Sequence, residues 1–226
     1  MRSARTAFLL CAGLIAACSP ITSSASAEDA VHIPAATLDP ADTRTSATTI
    51  LAGGCFWGVE GVFAHVRGVT RAQSGYHGGS ARDASYDAVS GGDTGHAEAV
   101  RITYDPRVVS YGSLLRIYFS VVTDPTTLNR QGPDVGRQYR SAIIPANADQ
   151  RRVAAAYVAQ LGHGAYWDAP IVTRIEAPLT FYPAEADHQD FMERHPTHGY
   201  IRMWDAPKLS HFRALYPALY RATAAP

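Results

Sequence analysis

Two kinds of hydrophobic pattern alternate along the chain. Residues 47–52 (ATTILA) form a short β-branched run, and residues 97–104 (AEAVRITY) alternate between apolar and polar positions, so both predict strands. Residues 56–66 are apolar at helical spacing and predict a helix that begins directly after Gly53 and Gly54. Similar patterns predict further strands over 139–144 and 171–176, and further helices over 111–122, 148–161 and 184–193.

The order of these elements mixes βα and ββ units. Such an order favours an α+β fold in which helices pack on a mostly antiparallel sheet. We therefore expect a two-layer plait of the ferredoxin-like, split-βαβ kind.

The N-terminus has the pattern of an export signal. Arg2 and Arg5 precede an apolar run at residues 7–17, which is too short to span a bilayer and suits a signal-peptide core. Residues 15–18 (IAAC) are similar to a bacterial lipobox, which would place a lipid on Cys18. Cleavage after residues 25–27 (ASA), giving a lipid-free product, is the alternative.

The remaining chain divides by composition. Residues 1–18 form the expected export signal, and residues 19–45, rich in Ser, Thr, Ala, Asp and Pro, predict a flexible linker. One catalytic domain is expected over 46–220, with a short tail at 221–226. These features predict a periplasmic protein, anchored to the outer membrane if Cys18 carries a lipid.

Composition and charge exclude several classes of function. The 226 residues are 46% hydrophobic and 18% charged, which is ordinary for a globular protein. Basic and acidic residues balance at 20 each, so the sequence lacks the basic footprint of a nucleic-acid-binding protein. We expect a monomer whose contact with a membrane is through Cys18 alone.

Cys55 is the candidate nucleophile. The other cysteines, Cys11 and Cys18, lie in the export signal, so the expected domain can form neither a disulfide framework nor a multi-thiolate metal site. Cys55 follows Gly53 and Gly54 and begins a helix, where unpaired N–H groups are expected to lower the pKa of a thiol. A buried, inert cysteine is the alternative.

Glu98 is the candidate acid. Strand alternation places it on the same face as Val100, Ile102 and Tyr104, which is the apolar face. A carboxyl group buried there has a raised pKa and can carry a proton near neutral pH. If the start of the strand is frayed, Glu98 faces water instead.

Aromatic and polar side chains could complete a pocket around Cys55. Phe56 and Trp57 are either core aromatics or an apolar wall for a substrate methyl group. The turn-rich residues 75–95 contain six glycines and suggest a functional loop. The polar candidates for the pocket are Tyr76, His77, Tyr86, Asp134 and Tyr139.

The ordered motifs resemble those of the A-type methionine sulfoxide reductases. The segment 53–60 (GGCFWGVE) matches the signature of that family. Further matching segments follow in order at 75–76, 94–98, 104–106, 124–125, 130–132, 134–136 and 138–141. The resemblance extends over roughly residues 47–200 and therefore concerns the whole expected domain.

This resemblance implies a plait fold without a metal or bound organic cofactor. It implies that Cys55 attacks the sulfur of methionine S-sulfoxide, free or in oxidised proteins, and becomes a sulfenic acid. Glu98 would assist the sulfoxide oxygen, helped by Tyr86 and Tyr139. Phe56 and Trp57 would hold the methyl group, and Asp134 would organise the pocket.

The sequence departs from the family pattern in two places. Many members carry resolving cysteines near the C-terminus, whereas this chain has no cysteine after Cys55. Reduction must then come from an external thiol, either a thioredoxin-like protein or a small thiol. Phe191 and His195 also stand where tyrosine and asparagine are more usual.

Three rival functions remain open at this point. Histidines and the Glu185-x-x-His188 spacing could serve a metallohydrolase, although no His-x-x-x-His pair with an adjacent base occurs. A thiol hydrolase could pair Cys55 with His77 or His96. A non-catalytic binding lipoprotein on the same fold would tolerate loss of Cys55.

Overall fold

A computed structural model describes residues 30–226, which fold around a mixed six-stranded sheet with a separate two-stranded ribbon. The strands are β1 Ala47–Ala52, β2 Val69–His77, β3 Ala97–Tyr104, β4 Arg130–Gln131, β5 Asp134–Val135, β6 Ala142–Ile144, β7 Arg174–Ile175 and β8 Phe181–Pro183. The α-helices are α1 Phe56–Ala64, α2 Tyr86–Ser90, α3 Tyr111–Ile117, α4 Ala148–Gly162, α5 Phe191–Arg194 and α6 Ala206–Leu215. Single turns of π-helix lie at Tyr118–Val122 and Ile201–Asp205, and turns of 3-10 helix at Ala81–Asp83, Arg137–Tyr139 and Ala186–His188.

The sheet has the split-βαβ arrangement that the sequence predicts. Its order is β7-β6-β1-β3-β2-β8, and every pairing except β6 with β7 is antiparallel. Because β1 and β2 are both antiparallel to β3, they run parallel to each other with β3 between them, and α1 is their crossover. The α+β prediction is confirmed.

Helix α1 packs at the centre of the core. Every residue of α1 except Trp57 is buried, so its sequence is apolar all round rather than on one stripe. No helix within residues 30–226 has the length and hydrophobicity needed to cross a membrane.

Several predicted boundaries differ from the structure. The α-helix over 111–122 ends at Ile117 and continues as a π turn, the strands over 139–144 and 171–176 shorten to β6 and β7, and 184–193 divides into a 3-10 turn and α5. Asp190, in the left-handed region with a φ of 52°, causes that division.

The pattern analysis missed several elements, namely β2, β4, β5, β8, α2 and α6. The turn-rich loop over 75–95 begins as strand, because Gly75–His77 end β2. Gly75 is required there, since a Cβ would overlap the Phe181 ring and the Tyr182 carbonyl on β8. The helix α6 was also missed, because its apolar positions are few.

The segments on either side of the domain pack against it. Residues 30–45 lack regular structure, yet Ile33 is fully buried and the Pro34 carbonyl accepts a hydrogen bond from Tyr157. The interpretation of 19–45 as a flexible linker is therefore wrong for this part. The tail also packs against the domain. The Arg221 backbone N–H donates a hydrogen bond to the His65 carbonyl at 2.9 Å, and the Ala225 backbone N–H donates one to the Ala64 carbonyl at 2.8 Å. The predicted export signal lies outside the described residues.

Candidate active site

Cys55 lies where β1 leaves the sheet and α1 begins. Gly54 turns the chain with a φ of 94°, and a Cβ at this position would be 2.6 Å from the Cβ of Gln131, so only glycine fits. Cys55 is the N-cap of α1 and its exposure is 8%. The turn therefore buries the thiol almost completely at the N-terminus of a helix.

Glu98 lies close to this turn because β1 and β3 are antiparallel. Leu51 pairs with Val100, so the end of β1 is beside the start of β3. The Phe56 backbone N–H donates a hydrogen bond to Glu98 Oε2 at 2.9 Å. Glu98 is 2% exposed, which confirms that it points inward rather than into water.

The carboxyl group of Glu98 is protonated at neutral pH. Burial raises its pKa to about 8, against the opposing effect of the Phe56 N–H, and the negative charges of Asp134 and Asp205 add to the increase. The raised pKa expected from the strand pattern is therefore present, and Glu98 can donate a proton.

The expected lowering of the Cys55 pKa is not found. Burial raises the pKa of this thiol well above its ordinary value, and the nearby acidic side chains of Glu98, Asp205 and Asp134 raise it further. The Trp57 backbone N–H opposes the shift and is outweighed. Helix position alone predicted the wrong direction, because desolvation is a larger effect than one helix terminus.

Tyr86 and Tyr139 face the same acidic centre. Both are half-buried. Burial raises the pKa of each phenol, and the nearby charges of Glu98 and Cys55 raise it further. Both hydroxyl groups therefore keep their protons and can donate hydrogen bonds to an oxygen bound beside Glu98.

An aromatic wall forms next to Cys55. Phe56 is fully buried and stacks on Tyr86 with 6.4 Å between ring centroids. Trp57 stacks on Phe191 at 3.8 Å, and its Nε1 donates a hydrogen bond to His188 Nδ1 at 3.2 Å. The rings of Phe56 and Trp57 thus have fixed orientations suited to a small apolar group.

Two carboxylates behind the wall hold it in position. Glu185 accepts hydrogen bonds from the Tyr76 hydroxyl at 2.7 Å and the Tyr86 backbone N–H at 2.9 Å. Glu60 accepts from the backbone N–H groups of Ser74 at 3.3 Å and Asp190 at 3.1 Å. These bonds join α2, β2 and the start of α5.

A second group of residues meets Cys55 from residues 131–134 and from the C-terminal segment, and the sequence analysis missed the C-terminal members. They line a cavity of about 10 Å³ next to Cys55, roughly what one water molecule needs. Tyr200 donates a hydrogen bond to Asp134. The residues around this cavity are Gln131, Gly132, Pro133, Asp134, Tyr200, Trp204 and Lys208. Lys208 is the one lysine of the sequence, and this rarity could have marked it as a candidate functional residue.

The histidines of the rival functions have other partners. His96 contacts the Gly79 N–H and the Ser80 carbonyl, and His77 accepts from the Leu179 N–H at 3.2 Å. His188 accepts from Trp57. Across residues 30–226, no group of three or more His, Cys, Asp or Glu side chains is arranged to hold a metal ion.

Comparisons with known proteins agree with this geometry. The family model described as peptide methionine sulfoxide reductase matches residues 47–218. The chain is 56% identical over 175 residues to peptide methionine sulfoxide reductase MsrA 2 of Mesorhizobium japonicum, covering 77% of this chain and 90% of the relative. It is 50% identical to a protein of the same name from Synechocystis, with coverage of 81% and 86%.

Solved structures give the same result. The reduced form of Mxr1 from Saccharomyces cerevisiae matches with a TM-score of 0.61 and 32% identity, over 71% of this chain and 92% of that one. Methionine sulfoxide reductase A of Corynebacterium diphtheriae matches with a TM-score of 0.57 and 30% identity, over 70% and 78%.

Proposed function

The chain belongs to the peptide methionine sulfoxide reductase family and is a peptide-methionine (S)-S-oxide reductase, and we propose that Cys55 carries its reaction through a sulfenic acid. The Phe56 N–H bond to Glu98 is the observation that carries this assignment. It holds a protonated carboxyl group beside the residue that follows the thiol. A nucleophile and a proton donor thus share one short backbone connection.

The first half-reaction exchanges one oxygen atom. The Cys55 sulfur attacks the sulfoxide sulfur while Glu98 gives its proton to the sulfoxide oxygen. The attack forms a transient bond between the two sulfurs, and the thiol proton passes to Glu98. The S–O bond of the substrate and the bond between the sulfurs then break, and the oxygen ends on Cys55 as S–OH. The sulfoxide sulfur is thereby reduced by two electrons to the thioether of methionine, and the Cys55 sulfur is oxidised by two electrons.

The polar and aromatic groups have separate roles in this proposal. Tyr86 and Tyr139 donate hydrogen bonds to the oxygen, whose negative charge grows as the S–O bond breaks. Phe56 and Trp57 hold the methyl group, which fixes the sulfur in front of Cys55. Asp134, held by Tyr200, organises the part of the pocket that it lines with Cys55.

The second half-reaction needs a thiol from outside the chain. The sequence has no cysteine after Cys55, and Cys11 and Cys18 lie in the predicted export signal. One external thiol forms a mixed disulfide with Cys55 and releases water, and a second thiol restores Cys55 as the external disulfide leaves. The reductant is a thioredoxin-like protein or a small thiol, and no bound cofactor is required.

A single turnover tests the nucleophile. The full chain is incubated with methionine S-sulfoxide without reductant, and methionine formation is measured together with the mass of the Cys55 peptide. We expect one methionine per protein and one oxygen gained at Cys55. Cys55→Ser should lose the reaction, whereas a Cys11→Ser, Cys18→Ser variant should keep it. Retention of more than a few per cent of the rate by Cys55→Ser, or a disulfide at Cys55 after turnover, contradicts the proposal.

We also propose that the chain is exported and repairs oxidised exported proteins. The support is the charged start, the apolar run at 7–17 and the lipobox-like 15–18, all in residues that the structure leaves undescribed. Intact mass of the mature protein is the test. An acylated N-terminus at Cys18 supports a lipid anchor, a lipid-free start at Glu28 supports secretion, and an uncleaved Met1 contradicts export by either route.

A further inference from the structure

Lys208 is the only lysine in a sequence of 226 residues, where the other 19 of the 20 basic side chains are arginine. It lies in α6, and its exposure is only 8%. A buried lysine requires a negatively charged partner or a functional reason, because an unpaired ammonium group is costly to desolvate. The surroundings of Lys208 supply both a negatively charged partner and a functional reason.

Two carboxylates lie near the ammonium group. Lys208 Nζ is 3.9 Å from Oδ1 of Asp205, which is fully buried. Its charge also acts on Asp134. Cys55, Asp134 and Lys208 line the same small cavity, and among the described residues around that cavity Lys208 is the one cation.

Asp205 in turn lies against the helix that Cys55 begins. A Cβ on Gly58, in the first turn of α1, would overlap the Asp205 carboxylate. The negative charge of Asp205 is therefore held at the end of α1 where the positive helix dipole would otherwise favour a thiolate. Uncompensated, Asp205 and Asp134 would both oppose loss of the thiol proton.

We propose that Lys208 is a positioning residue for Cys55, whose ammonium group offsets the charges of Asp134 and Asp205 and so permits Cys55 to react as a thiolate. The inference extends the proposed function by adding a residue that acts through others and does not contact the sulfoxide. Lysine supplies this positive charge as a compact ammonium group at the end of a flexible stem.

The charged and titratable groups that face Cys55 come from several elements. Glu98 approaches from β3, Tyr86 from α2, and Asp134 and Tyr139 from the segment around β5. Tyr200, Asp205 and Lys208 approach from the C-terminal segment. Lys208 is the one cationic group in this set, so its removal takes away the positive charge that offsets Asp134 and Asp205.

Alkylation of Cys55 tests the proposal independently of sulfoxide reduction. The full chain is treated with iodoacetamide at pH values from 6 to 10.5, and the rate at the Cys55 peptide is followed by mass spectrometry. Lys208→Met should slow alkylation at pH 7.5 by about three- to tenfold, equivalent to an increase of about 0.5–1 in the apparent pKa of Cys55. Because the pKa of Cys55 is raised well above its ordinary value, the ratio of the two rates should stay nearly constant below the pH at which the thiol begins to ionise.

Three further variants separate charge from packing. Lys208→Met combined with Asp205→Asn should restore the rate at pH 7.5, because a positive and a negative charge are removed together. Lys208→Arg should keep the wild-type pH profile, and Arg202→Met, at an exposed neighbour, should also leave it unchanged. An unchanged alkylation rate in Lys208→Met, or a double variant that stays as slow as Lys208→Met, overturns the proposal. If Lys208→Met does not fold, the double variant against Asp205→Asn alone gives the same comparison.

Failure of this proposal is distinct from failure of the proposed function. If Lys208→Met alkylates normally while Cys55→Ser cannot form methionine, Cys55 keeps its role and Lys208 is only an ion-pair partner.

Discussion

The Phe56 backbone N–H donates a hydrogen bond to Glu98 Oε2 at 2.9 Å. Phe56 follows Cys55 directly, so the bond ties the first turn of α1 to the start of β3. The consequence is a pair of buried groups, both with raised pKa values, at the place where the sulfoxide is expected to bind.

The pKa of Glu98 predicts a pH dependence for the first half-reaction. Below about pH 8 the carboxyl group holds its proton, and above that value the donor is lost. Glu98→Gln keeps a polar side chain without a transferable proton, so it should slow single-turnover methionine formation by about 10²–10⁴-fold at pH 7. The ratio of wild-type to variant rates should fall as the pH rises above 8. A ratio that stays constant between pH 6 and 9.5 contradicts the role of Glu98 as an acid.

The stacking of Phe191 on Trp57 predicts a contribution to substrate binding. Their ring centroids are 3.8 Å apart and the rings are tilted by only 11°. Phe191→Ala should free the indole and raise the KM for methionine sulfoxide by about three- to tenfold, since an aromatic pair contributes about 0.5–1.5 kcal/mol. Phe191→Tyr is the matched control and should behave as wild type. Equal KM values for the alanine and tyrosine variants would show that the stacking does not matter.

The contact between Gly58 and Asp205 predicts an intolerant position in α1. A Cβ at Gly58 would overlap a fully buried carboxylate that cannot move into solvent. Gly58→Ala should therefore lower the free energy of unfolding by about 1–3 kcal/mol. Gly162→Ala is the control, because nothing lies within 4 Å of a Cβ there and alanine favours the helix. Urea unfolding of both variants is the measurement, and a stable Gly58→Ala would contradict the packing described.

The buried Glu60 predicts that stability falls as the pH rises. Burial raises its pKa from an ordinary 4.5 to about 7 in the folded protein. Both states are protonated below 4.5, and between 4.5 and 7 the unfolded chain ionises first and gains relative stability. The cost to the wild type at pH 7.5 is about 3 kcal/mol at most. Glu60→Gln cannot ionise, so its free energy of unfolding should improve relative to wild type over this range. A difference that is the same at pH 4.5 and 7.5 refutes the shift.

The sequence by itself determined the elements that hold the nucleophile. The strand β1 was predicted with its observed bounds because a short β-branched run favours a strand and the two glycines that follow end it. The inward direction of Glu98 followed from strand alternation, and the motifs around Cys55 identified the chemistry.

Only the tertiary structure decided the environment of those residues. The direction of the Cys55 pKa depends on burial by segments distant in sequence, and local helix position predicted the opposite. Asp205 and Lys208 reach Cys55 through α6, whose pattern gave no sign of its packing. Hydrophobic periodicity reports which face of an element is buried, whereas desolvation and charge depend on which other elements cover that face.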